Sequence, residues 1–186
     1  VQQNADRLAR IAEEVLDIAR VQHQINHAPG ATLALDASVA QVWSDWSSQD
    51  PARRRGQVSL ETSMVQVEFD PEHLRRVLVN LLDNALRYMG PEEDSLVVQT
   101  RTSPAGQTTL QVWSDGAPMD KSVERHLFEP FFSSESRSSG LGLYICRELC
   151  QRHGASISYQ RTHRTTARGN TGGNAFTVAF RRPTRP

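Results

Sequence analysis

The sequence predicts an α+β fold in which a mixed sheet carries helices on one face, with a bundle helix ahead of it. Three observations carry that expectation. The chain opens on a helical repeat of apolar residues, a strongly amphipathic helix runs from Asp70 to Met89, and strand-like runs are interleaved with helices after it, two of them joined as a hairpin. At 186 residues, 38% apolar and 23% charged, the chain reads as one soluble domain, or one domain with an appendage, large enough for a real core.

From Val1 to His27, Leu8, Ile11, Val15, Ile18 and Ile25 follow a three-four alternation whose polar member is Gln22. That is a coiled-coil or bundle seam rather than the broad stripe of a globular surface helix, and it wants a partner helix. Pro29 and Gly30 stop it, dividing residues 1–28 from a second unit at 29–186. Because the repeat is already running at residue 1, the chain reads as a piece of a longer protein. Asp36 to Gln49 offers a short helix with Val39, Val42, Trp43 and Trp46 on one side. Gln57–Glu61 and Met64–Phe69 alternate as strands do.

The helix at Asp70–Met89 has the clearest local signals. Asp70 before Pro71 is an N-cap with proline at the first helical position, and Leu74, Val77, Leu78, Leu81, Leu82 and Ala85 form a buried stripe. Ser95–Thr102 and Thr108–Ser114 are β-rich runs joined by SPAGQ, a hairpin signal. A turn-rich DGAPMD, a short helix at Ser122–His126 and the aromatic LFEPFF follow. The next segment, SSESRSS, has no apolar anchor and is expected to be mobile. Gly140–His153 opens on glycines, proceeds as a helix and ends at Gly154. Ala155–Gln160 and Ala175–Arg182 read as the last strands, with a polar, glycine-rich loop between them.

Composition bounds the function. A formal net charge of zero gives no global attraction to nucleic acid or anionic lipid. The arginines from Arg161 onward, with no carboxylate among them, read as a solvated end. No stretch reaches the length of a membrane span, and no signal peptide is read at the start. Cys146 and Cys150, four apart on a helix, are poorly directed for a disulfide and read as buried thiols in a reducing compartment.

Two features carry chemistry. Asn80 and Asn84 lie one helical turn apart, with Arg87 and Tyr88 continuing the same edge. Asparagine is a mediocre helix former, so the pair is either a solvated face beside Arg76, Asp83 and Arg87, or an edge that meets a ligand. Gly140 and Gly142 open a helix whose first turn exposes N–H groups at the positive end of its dipole, a seat for phosphate. Neither a P-loop nor a dinucleotide fingerprint occurs. Together the two features fit magnesium, which takes one or two protein oxygens alongside phosphates. The serine-rich segment ahead of the glycines would act as a lid.

Four stretches, NLLDNALRY at Asn80–Tyr88, a degenerate glycine turn at Ser114–Asp120, LFEPFF at Leu127–Phe132 and SGLGL at Ser139–Leu143, resemble the N, first glycine, F and second glycine boxes of sensor histidine kinases, in the family's order and spacing. The continuation GLGLYICRELCQRHGA is most similar to the nitrogen-regulation and type IV pilus sensor kinases. The resemblance implies a Bergerat-type α/β sandwich that binds ATP and Mg2+. It also makes residues 1–28 look like the second helix of a dimerisation and phosphoacceptor hairpin. Residue by residue, it implies Asn84 as the main magnesium ligand with Asn80 as companion, Arg87 on phosphate and Tyr88 lining the cleft, with Gly140, Leu141, Gly142 and Leu143 presenting backbone to the phosphates. In hydrolysing relatives a glutamate stands at the place of Asn80; an amide cannot take water's proton, so nucleotide is held for transfer to a histidine.

This chain departs from the family at two places. Aligning Gly116 with the first glycine puts Ser114 where the family's adenine-binding aspartate stands and Pro118 at the second glycine, while Asp115 is a carboxylate one residue off. In the lid, Glu135 stands where relatives often carry lysine, with Arg137 as its substitute. None of His23, His27, His73, His126, His153 and His163 has the context of a phosphoacceptor. The reading is therefore the catalytic ATP-binding domain of a two-component sensor histidine kinase, transferring the γ-phosphoryl group to a histidine outside this chain for relay to a response regulator receiver domain. The resemblance implies a homodimer in the full-length protein and a cytoplasmic domain, with the inner membrane as the expected anchor of the parent, and no nucleic-acid partner. The alternative is a degenerate ATP-binding domain acting as a docking or regulatory module. An ATP-driven clamp is disfavoured by Asn80 and the short lid.

Overall fold

A computed structural model describes residues 2–25, 31–132 and 141–181. Its elements are α1 (Gln2–Ile25), β1 (Thr32–Ala34), α2 (Leu35–Ser47), β2 (Gly56–Leu60), β3 (Gln66–Glu68), α3 (Pro71–Tyr88), β4 (Leu96–Thr102), β5 (Thr108–Ser114), α4 (Lys121–Glu124), α5 (Gly142–Arg152), β6 (Ser156–Thr166) and β7 (Gly169–Ala179). Five strands form one sheet in the order β2-β4-β5-β7-β6. Only β2 and β4 run parallel, so the sheet is mixed as the sequence predicts, and β1 pairs with β3 as a separate antiparallel ladder.

α3 forms where its local chemistry says it should. The Asp70 carboxylate accepts from the N–H groups of Glu72 and His73 at 2.9 and 3.0 Å, and Pro71 takes the first helical position, a cap that contributes about 1 kcal/mol. Its stripe from Leu74 to Ala85 is buried against α2, α5 and the inner face of the sheet. Each large side chain there contributes about 1.5–3 kcal/mol. The opposite flank is polar but not free: Asp83 accepts the Trp46 indole N–H at 2.9 Å, which pins α2 to α3. The Asp36 carboxylate ties the start of α2 to the sheet by accepting from the N–H and hydroxyl of Thr62 and, at 2.7 Å, from the hydroxyl of Thr100.

Strand alternation sorts the faces. Leu110 and Val112 on β5, and Phe176 and Val178 on β7, point into the core under the helices, whereas Trp113 packs with Val97 and Ala175 on the opposite face. By the same alternation Ser114 and Asn174, paired across β5 and β7, face the helix side.

Two expectations are corrected. The last strands do not flank a loop: β6 and β7 run on as a hairpin, in register from Ser156↔Ala179 to Thr166↔Gly169, with Ala167 and Arg168 at its tip. The Met64–Phe69 strand is shorter, because the chain turns at Ser63 and Met64 before pairing begins at Gln66. The boundary expected near residue 28 and the serine-rich lid lie outside the described residues. On α1, Leu8 and Val15 are 66% and 45% exposed while Ile18 packs against the core, so much of the apolar seam lies open.

α5 ends at Arg152 and the chain turns away at Gly154, whose φ of +68° suits glycine. Beside it, Nδ1 of His73 and Nε2 of His153 share a hydrogen bond of 2.8 Å, with Phe69 stacked 4.4 Å from the His153 ring. Burial lowers both pKa values, and His73 lowers that of His153 further, to about 4 from an ordinary 6.5; Asp70 opposes the shift and Arg152 adds to it. The fold thus favours neutral rings. Their stabilisation is complete above pH 6.5 and is lost as the pH falls from there towards 4. Thermal midpoints measured between pH 7 and 4 should fall more steeply for the wild type than for His153→Gln; parallel curves would show that the pair does not titrate this way.

Candidate functional site

The site is laid out along the second half of α3. At one end Asn80 Nδ2 donates to the carbonyl of Gly142 at 3.2 Å, joining the middle of α3 to the first residue of α5. Deeper in the same contact the Cys146 thiol lies 3.6 Å from the carbonyl of Val77. Cys146 and Cys150 are both free and buried, and burial pushes both thiols up, Cys150 to about 12, so neither is a nucleophile.

The start of α5 is open to a ligand. Leu141, the N-cap residue of the helix, is fully buried and supplies no side-chain cap to the first-turn N–H groups. A Cβ placed on Gly142 would meet nothing within 4 Å, so space lies directly against this backbone. Leu143 is half-buried. Uncapped donors at the positive end of a helix dipole attract anions. Gly140 and Arg137 lie outside the described residues.

One turn beyond Asn80, Asn84 is half-buried and has no hydrogen-bond partner among the described residues; Arg87 and Tyr88 are exposed on the last turn. The far end of the site is the turn leaving β5. Gly116 sits so close to α3 that an added Cβ would lie 3.1 Å from the Tyr88 carbonyl oxygen and 3.2 Å from Asn174 Nδ2, a tight fit that the turn or its neighbours would have to relieve by a few tenths of an ångström. Ser114 is buried at its start. α3 therefore spans the gap between the glycine-opened helix and this turn. Phe128 and Leu127 of the aromatic segment pack on the core beside it, Phe128 edge-on to Phe176 at 6.2 Å, and Phe131 is left exposed with a φ of +63°.

Asp115 does not face this gap as a free carboxylate. Its side chain, 2% exposed, accepts from the Gly90 N–H at 2.8 Å, the Ser95 hydroxyl at 2.8 Å and Arg168 Nη2 at 2.7 Å. Burial alone would raise its pKa, but these three donors outweigh it and hold the carboxyl below its ordinary value. Arg168 also reaches Asp94 at 3.4 Å.

Several residues on β6 and β7 were not identified from the sequence. Arg161 Nη1 donates to the Gly116 carbonyl at 2.6 Å, and Asn174 Nδ2 donates to that of Ala117 at 3.0 Å. The Tyr159 hydroxyl donates to Asn174 Oδ1 at 2.6 Å. The signal that would have found them is the alternation of Tyr159, Arg161 and His163, which puts all three on one strand face.

The donor set suits a hard cation beside phosphate. Asn80 donates through Nδ2, so both Asn80 and Asn84 retain an amide oxygen, the kind of ligand magnesium takes. Among the described residues no group of three or more His, Cys, Asp or Glu is placed to hold a metal, and no helix is long and apolar enough to cross a membrane.

Comparison with known proteins shows the family and the fold. Residues 69–184 match the model of a family described as histidine kinase-, DNA gyrase B-, and HSP90-like ATPase. The chain is 30% identical to the sensor protein kinase PilS of Pseudomonas aeruginosa over 190 residues, covering 98% of this chain and 33% of that protein. It is 29% identical to the sensory histidine kinase/phosphatase NtrB of Salmonella typhimurium over 168 residues, covering 84% of this chain and 46% of that one. It thus spans a third to a half of the length of these relatives. In fold it is similar to the catalytic domain of the histidine kinase ThkA, with a TM-score of 0.65 at 22% identity, over 82% of this chain and 96% of that one.

Proposed function

This chain belongs to the family of histidine kinase-, DNA gyrase B- and HSP90-like ATPases, and on that premise we propose that it is the ATP-binding catalytic domain of a two-component sensor histidine kinase. It would transfer the γ-phosphoryl group of ATP to a histidine outside the chain, in a homodimer, for relay to the receiver domain of a response regulator. The whole protein would be a sensor whose catalytic domain is cytoplasmic, anchored at the inner membrane.

The observation that carries this reading is the hydrogen bond from Asn80 to Gly142, which joins the amide-bearing edge of α3 to the glycine-opened start of α5. Asn84 and Asn80 would hold Mg2+ through their amide oxygens, and the N–H groups of Gly142 and Leu143 would receive phosphate oxygens, with Gly140 ahead of them. Mg2+ would neutralise phosphate charge as the γ-phosphoryl group departs. Arg87 would hold phosphate, Arg137 would act from the lid, and Tyr88, Ser114 and Gly116 would border the base. Since Asn80 is no base at neutral pH, water is not activated here and the phosphoryl group is kept for a histidine, itself a competent nucleophile.

A second reading, a degenerate domain that docks rather than catalyses, draws on the state of Asp115. With that carboxylate committed to Gly90, Ser95 and Arg168, the base would meet only the neutral hydroxyl of Ser114. Calorimetry with ADP and Mg2+ separates the two. Binding at micromolar to submillimolar concentration is expected for the kinase domain, and no heat up to several millimolar would favour the docking module.

A further inference from the structure

The turn that leaves β5 is shaped from outside. Among the described glycines, those with left-handed φ are Gly106, Gly154 and Gly169; Gly116 is not one of them, and Pro118 follows two residues later. The turn therefore owes little to glycine's conformational freedom. Its three consecutive residues are instead each gripped by the β6–β7 hairpin: Asp115 by Arg168 at 2.7 Å, the Gly116 carbonyl by Arg161 at 2.6 Å, and the Ala117 carbonyl by Asn174 at 3.0 Å. Arg161 reaches Asn174 Oδ1 as well, at 3.3 Å, and Tyr159 steadies the same oxygen. On its other side the turn abuts the backbone of Tyr88.

We infer that Arg161 and Arg168 are positioning residues for the base end of the nucleotide site, holding residues 115–117 and so keeping Gly116 against the Tyr88 backbone. The inference rests on the nucleotide-binding reading above and adds to it a role for the terminal hairpin, whose distal half, toward Ala167 and Arg168, is polar and little buried. Arg161 is the stronger of the two. It is half-buried, and its guanidinium is a charged donor to a backbone oxygen. Arg168 is 41% exposed, so its ion pair with Asp115 is partly screened.

The test compares Arg161→Met, Arg161→Lys and Arg168→Ala with the wild type, using ADP with Mg2+ as a probe of both ends and inorganic tripolyphosphate with Mg2+ as a probe of the phosphate end alone. Arg161→Met should weaken ADP binding about tenfold and leave tripolyphosphate binding unchanged. Arg161→Lys, which keeps a charged donor, should recover most of the loss, and Arg168→Ala should cost about threefold. A merely structural role would weaken both probes together and show no rescue by lysine. Wild-type protein that binds ADP, with ADP affinities unchanged in the variants or with both probes lost in parallel, overturns the inference alone. Wild-type protein that binds no adenine nucleotide overturns the functional reading and the inference with it. Were Arg161→Met unable to fold, the lysine and Arg168 variants would decide the matter by the same comparison.

Discussion

Asn84→Ala is expected to lower phosphoryl transfer on the order of 100-fold and to abolish the dependence of nucleotide affinity on Mg2+, with the thermal midpoint nearly unchanged. The reason lies in how α3 divides its polar groups. Asp83 is engaged by the Trp46 indole and Asn80 by the Gly142 carbonyl, whereas Asn84 is half-buried with no hydrogen-bond partner among the described residues. Asn84 stands at the edge of the apolar stripe, beside Val77, so removing its amide takes away an oxygen donor while the buried side chains from Leu74 to Ala85 stay in place. Two measurements check this: ADP titration with and without Mg2+, and transfer of labelled γ-phosphate to a histidine-bearing helical hairpin supplied in trans. Transfer within threefold of the wild type, with the Mg2+ dependence intact, would remove Asn84 from the metal site.

Gly173→Ala should be the most destabilising single methyl addition at the described glycines of the sheet. A Cβ there would lie 2.3 Å from Trp113 Cε2 and 2.5 Å from the Ser114 carbonyl oxygen. The indole is fully buried, and the oxygen belongs to the β5 backbone, so neither can give way without parting β5 from β7. A loss of about 3 kcal/mol is expected, which lowers the midpoint by roughly 10 °C in a protein of this size. Gly142→Ala is the control, since its Cβ meets nothing and alanine favours a helix. Equal midpoints for the two variants would refute the steric account. Because Ser114 and Asn174 are neighbours of the same contact, Gly173→Ala should also weaken nucleotide binding, whereas Gly142→Ala would act at the phosphate end.

Much of this layout was legible from residues close together in the chain. The capped start of α3, its buried stripe and the stacking of Asn80 on Asn84 follow from helical periodicity, and the β4–β5 hairpin and the Gly154 stop follow from turn chemistry. The β6–β7 hairpin escaped for a physical reason. Its distal residues are threonine, arginine, asparagine and glycine, which form a ladder by backbone pairing with little burial, and periodicity reports burial rather than pairing.

The sequence by itself determined the helices, the boundaries of β4 and β5, and the residue types gathered at the site, because capping, periodicity and turn formation act over a few residues. Tertiary structure alone decided which polar atoms remain available to a ligand. Asp115 and Asn84 both look like ligands when read in line, yet the carboxylate is claimed by donors at positions 90, 95 and 168 while the amide has no hydrogen-bond partner among the described residues. A buried polar atom binds whatever donor or acceptor the fold brings within about 3 Å, and that partner can come from anywhere in the chain.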